Sequence, residues 1–184
     1  MKRNTALFTI ALLAIALSGT VGAQDIELKK IVLGTGYDSE AREVKAPLPE
    51  EGATVKRTEG AKVVCFTAFD SEGENYVYHV WLYRGDEEIK PAGIRSQAIL
   101  YNSVTNETTR YTLQEVLNRT PDLRELTDVR IAFVVRLHVG KSDYWRTYSM
   151  KSIDNLPGLG QWECRVYDSN ERLLGKRAFA VVKE

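Results

Sequence analysis

Residues 61–69 read AKVVCFTAF, nine positions nearly all apolar or β-favouring, closed by the Ser71-Glu72-Gly73-Glu74-Asn75 turn. A run this short and continuous, bounded by turn residues, fits a strand buried on both faces. The next segment, Tyr76 to Arg84 (YVYHVWLYR), alternates instead. Tyr76, Tyr78, Val80 and Leu82 fall on one face, and Val77, His79, Trp81 and Tyr83 on the other. Val129 to Val139 repeats the period, with Ile131, Phe133, Val135, Leu137 and Val139 together and His138 pointing the other way, toward solvent. Ile26 to Val32, Ile94 to Tyr101, Tyr144 to Ser152, Gln161 to Tyr167 and Leu173 to Val182 complete a series of short strands. Residues 34–60, rich in Gly, Pro and charge, read mostly as loop, and Asp168 to Glu171 as a hairpin turn with Asn170 suited to the left-handed conformation. Many short strands separated by turn signals predict an all-β sandwich. One piece departs from the pattern. Tyr111 to Thr127 is helical in character, with a capping box at Thr112 to Glu115 and a second start at Thr120-Pro121.

The N-terminus carries a different signal. Lys2 and Arg3 form a basic head, Ala6 to Leu17 is apolar, and Val21-Gly22-Ala23 offers the small residues of a cleavage site. The apolar run is too short to span a bilayer, which takes ~20 residues. The expectation is a signal peptide over 1–23, cleaved after Ala23, and a single periplasmic or secreted domain over 24–184 with no transmembrane anchor. The chain balances 25 basic against 25 acidic residues. Such balance excludes bulk-charge recognition of nucleic acid or anionic membrane. Cys65 and Cys164 lie in strand-like segments, and export to an oxidising compartment predicts a disulfide between them.

The whole resembles the exported bacterial family known as domain of unknown function 2914. The likeness rests on YHVWLYRGDEEI (78–89), YWRTYSMKSI (144–153) and GQWECRVYDSNERLLGKRAF (160–179), with KIVLGTGYDSEAREV and VVCFTAF in the places of the first strands. Two features depart from the family's pattern: an insertion of about residues 90–130, and Asn170 where glycine is favoured. The resemblance implies a small β-sandwich without established activity. The fold expected is an immunoglobulin-like antiparallel β-sandwich with a short helical insertion.

Catalytic chemistry finds little support in the residues. There is no glycine-flanked nucleophile elbow, and the paired carboxylates sit in turns, so no catalytic residue is assigned. With only His79 and His138, and with Arg146 and Lys151 expected near His79, no metal site and no cofactor are predicted. Binding is better served. Rigid aromatic rings beside hydrogen-bonding cations give contact area at low entropic cost. On the strand from Tyr144, one face carries Tyr144, Arg146, Tyr148 and Met150, and the other Trp145, Thr147 and Ser149. Trp145 and Trp162 are expected in the core, with Trp81 a weaker third. The candidate ligand-binding set is therefore Tyr144, Arg146, Tyr148, Lys151 and His79, for an envelope protein or glycan. The alternatives are a purely structural accessory domain and an unrecognised hydrolase built around Ser149.

Overall fold

The computed structural model describes residues 25–85, 97–102, 105–112, 130–154 and 158–184. Among these residues, eleven strands are arranged in two sheets. The first sheet runs β2 (Glu43–Pro47), β1 (Ile26–Asp38), β4 (Lys62–Ser71), β9 (Ser142–Ser152). The second runs β3 (Thr54–Lys56), β11 (Leu173–Val182), β10 (Gly160–Asp168), β5 (Asn75–Arg84), β8 (Arg130–Val139), β6 (Gln97–Asn102), β7 (Glu107–Thr112). All neighbours are antiparallel except β3 with β11 and β6 with β8. The all-β expectation holds among the described residues.

The sheets face each other across one apolar layer, because strands with period-two patterns can bury only one face against a partner sheet. Leu33, Val63 and Cys65 of the first sheet meet Trp81, Tyr83, Trp162, Cys164, Phe179 and Val181 of the second. β5 divides as its sequence predicts, with Val77, His79, Trp81 and Tyr83 inward and fully buried. β4 is buried on both faces. Its outward residues Val64, Phe66 and Ala68 form a small second cluster under Tyr37, Val44 and Tyr148.

Four expectations need correction. The supposed loop over 34–60 contains the end of β1, all of β2 and all of β3, short strands whose exposed residues leave no periodic signal. Tyr111 and Thr112, placed at the start of a helix, end β7, where cross-strand pairing with Ala98 and Gln97 outweighs local capping chemistry. The remainder of the helical expectation lies outside the described residues. The left-handed residue of the β10–β11 turn is Glu171 (φ 66°), not Asn170. Asp168 causes this: its Oδ1 accepts from the Asn170 and Arg172 amides at 2.9 Å each and sets the turn from its own side. Finally, Trp81 and Trp162 are the fully buried indoles, whereas Trp145 is only partly covered and donates from Nε1 to the His138 carbonyl.

Candidate functional site

β9 is where the YWRTYSMKS motif meets the fold. Among the described residues it is an edge strand, paired along one side to β4 in a register that sets Tyr148 opposite Phe66 and Ser149 opposite Cys65. Alternation then sends the motif in two directions. Trp145, Thr147, Ser149 and Lys151 face the second sheet, and Arg146, Tyr148 and Met150 face away, with the exposed Tyr144 beside them.

The inward half is built into a buried polar chain. Trp81 Nε1–H donates to Ser149 Oγ at 3.0 Å, and Ser149 Oγ lies 2.9 Å from His79 Nδ1. His79 Nε2 lies 3.1 Å from Thr67 Oγ1, which donates to the Thr147 carbonyl at 3.4 Å. One order of donation satisfies every group: indole to serine, serine to Nδ1, Nε2–H to threonine, threonine to carbonyl. A serine within hydrogen-bond distance of histidine has the form of a catalytic dyad. Yet Ser149 is 5% exposed and His79 0%, and one serine lone pair is occupied by the Trp81 indole. A substrate carbonyl has no approach to this oxygen.

Beside His79 stand Cys65 and Cys164, both buried and both free thiols. The expected disulfide is thus not formed here, although the pairing it needs is in place: the two sulfurs and a His79 nitrogen all lie within 4.8 Å of one another. One cysteine comes from each sheet, so a bond between them would cross the core. The thiols are unlike. Burial pushes Cys65 up, but the hydrogen bond from Cys164 and the neighbouring His79 outweigh it and hold Cys65 down to about 6. Cys164 is pushed well above the ordinary thiol range, by burial first and then by Cys65. Cys65 therefore loses its proton before Cys164 does. Two thiolates and an imidazole also form a soft donor set of the kind that holds zinc or copper(I). Both ring nitrogens of His79 are already engaged by hydroxyls, so coordination would require one of them to let go. The sequence reading missed this cluster. Register could have found it, since Cys164 sits opposite Trp81 on β5 and His79 is two residues along on the same face.

The predicted ligand set is consequently split. His79 is in the core. Lys151 is on the inward face, its Nζ 5.6 Å from the Trp162 ring centroid and donating to the Ser152 carbonyl. Burial lowers its pKa, with Asp154 opposing the shift. Neither joins Tyr144, Arg146 and Tyr148, which the structure does bring together on the outer face of the first sheet. Tyr148 has a second duty there: its ring stacks on Tyr37 with centroids 3.8 Å apart and covers Phe66. Tyr144 (46% exposed) and Met150 (44%) are free, and Lys30 adds a second cation to this face, 5.9 Å over the Phe66 ring. Next to Met150 an open cleft of about 470 Å³ is lined by Gly36, Val64, Lys56 and Lys62. Tyr37 and Lys30 carried no sequence signal as site residues, because only the β1–β4–β9 register places them near the motif.

Residues 123–181 match the model of the family described as Protein of unknown function (DUF2914), the family that the motifs resemble. That stretch contains β8, β9, β10 and most of β11. No curated protein matches the chain. Among solved structures, it is similar to an immunoglobulin-like protein from Pseudomonas aeruginosa at 15% identity and a TM-score of 0.43, over 88% of this chain and 100% of that one.

Proposed function

We propose that the chain is an exported, immunoglobulin-like β-sandwich that works by binding rather than catalysis, with the outer face of β1, β4 and β9 as its contact surface and an envelope protein or glycan as its partner. The observation that carries this reading is where the exposed large hydrophobics fall. Among the described residues there are three, and Tyr144 and Met150 are both on β9. Flanking them with Arg146, Lys30 and the Tyr37–Tyr148 stack makes an aromatic and basic surface, the composition that anchors partners. The basic head and apolar run at the N-terminus support export.

The immunoglobulin-like assignment draws on internal features. In that fold an indole packs against an inter-sheet cysteine pair, and a tyrosine two residues before the second cysteine bonds to backbone upstream; here a tryptophan, Trp162, holds that position. Trp81 packs in one cluster with Cys65 and Cys164, and Trp162 Nε1–H donates to the Gly158 carbonyl at 2.9 Å. A second reading, a structural accessory domain, is favoured by the inward half of the motif, which is wholly engaged in the core. The two separate by cross-linking capture from native envelope with wild type, Tyr144→Ser and Arg146→Ala. Binding predicts that capture drops while the unfolding midpoint holds. An accessory domain predicts capture that is absent or indifferent to both substitutions.

A further inference from the structure

We infer that β9 is also a self-pairing edge, on which a second copy of this chain docks antiparallel about a twofold axis through Thr147. The inference rests on the reading of the outer face as a contact surface and names one partner for it.

β9 is 11 residues long, contains no proline, and among the described residues no strand hydrogen-bonds to the side opposite β4. An edge of this length exposes a row of unpaired amides and carbonyls, which natural sheets usually blunt or cover. The irregular register between Phe69 and Ser71 disturbs only the start of β9. From Trp145 to Met150 the strand is regular and offers six residues for pairing, with Tyr144 at the edge of the irregular stretch.

The sequence of the strand selects the occupant. A twofold axis at Thr147 places Tyr144 opposite Met150, Trp145 opposite Ser149 and Arg146 opposite Tyr148, each pair occurring twice. The two most exposed large hydrophobics of the described chain thus cover each other in an aromatic–thioether contact. Arg146 comes against an aromatic face, where a guanidinium is attracted by the ring quadrupole. At both ends Asp143 stands opposite Lys151, so the formal charges are opposite rather than alike. Moving the axis by one residue keeps outward side chains together but loses these contacts: at Tyr148 it sets Tyr144 opposite Ser152, and at Arg146 it sets the two Arg146 guanidiniums, like charges, against each other. Moving it by two, to Ser149, would leave Tyr144 opposite Asp154, beyond the strand's end. Self-pairing at Thr147 joins two four-stranded sheets into one of eight, an isologous arrangement in which each copy supplies the same surface. It also doubles the outer face, carrying the Tyr37–Tyr148 stack and Lys30 of both copies on one continuous surface.

Two variants test the register. Directly opposite residues in an antiparallel pair have Cβ atoms about 4.5–5.5 Å apart, near enough for cysteines to bridge after small adjustment. Tyr144→Cys and Met150→Cys are purified separately, then oxidised alone and mixed. The mixture is expected to give a covalent dimer on non-reducing gels. Each variant alone should give far less, because the two copies of residue 144 lie roughly 20 Å apart in this register. Wild type should show a mass in sedimentation equilibrium that rises from one chain toward two with concentration. A mixture that cross-links no better than its components, or a wild type that stays monomeric throughout, overturns self-pairing. If Arg146→Ala still abolishes envelope capture by that monomer, the binding surface stands without the dimer. If capture is also indifferent, both inferences fall.

Discussion

Replacing Ser149 by alanine removes one oxygen and should disable the polar chain at its centre. Trp81 Nε1–H loses its acceptor at 3.0 Å and His79 Nδ1 its partner at 2.9 Å. Both side chains are fully buried, so water cannot take the vacated role without a site of its own. A buried polar group left unsatisfied costs about 1–3 kcal/mol. Two such groups sharing one hydroxyl set the expected loss at roughly 2–5 kcal/mol, allowing for relaxation. At ~2–4 °C per kcal/mol for a chain of this size, the melting temperature should fall by about 4–20 °C. Urea unfolding followed by tryptophan fluorescence reads the change directly. A double-mutant cycle with Trp81→Phe isolates the shared bond: Ser149→Ala should be less damaging once the indole N–H is gone, with a coupling of about 0.5–3 kcal/mol. A Ser149→Ala protein within ~0.5 kcal/mol of wild type, the range of an inert surface change, would mean that the hydroxyl does not hold this polar chain together.

Oxidising Cys65 and Cys164 closes a loop of about 100 residues and should raise stability by up to ~4.7 kcal/mol in the chain-entropy account. Equal urea midpoints for oxidised and fully reduced protein, or two free thiols after oxidation and denaturation, would contradict this. In the reduced protein, the depressed Cys65 contributes stability that is fully present above its unfolded value of ~8.5 and is lost as pH falls through about 6. The raised Cys164 contributes stability present below ~8.5 and lost as pH rises beyond it. Stability under reductant should therefore climb from pH 6 toward 8.5 and decline above, and Cys65→Ser should flatten the lower limb. Gly160→Ala should destabilise by more than ~1 kcal/mol: φ is +130°, and a Cβ would lie 2.9 Å from the Arg84 carbonyl. A midpoint equal to wild type would contradict that.

The strand pattern was legible because burial on alternate residues writes itself into sequence. β11 keeps the bounds Leu173 to Val182, and β5 the inward set Val77, His79, Trp81 and Tyr83. The partition of Tyr144 to Met150 between two faces was legible for the same reason. Which tryptophans reach the core was not. Trp145 lies on an edge strand and Trp81 on a central one, a difference set by strand order and not by local pattern. Lys151 and His79 were grouped with the outer set through their spacing from the motif, yet alternation in β9 and β5 turns both inward. The cysteine–histidine cluster and the Tyr37–Tyr148 stack depend on register across three strands, information that no single segment carries.

The proposed division of β9 gives the motif's inner face to the core and its outer face to contact. The urea midpoint of Arg146→Ala, measured beside that of Ser149→Ala, tests it most directly. Arg146→Ala is expected to stay within ~0.5 kcal/mol of wild type while Ser149→Ala loses roughly 2 kcal/mol or more. Comparable losses in both would mean that the outer face, like the inner, serves only to hold the sandwich together.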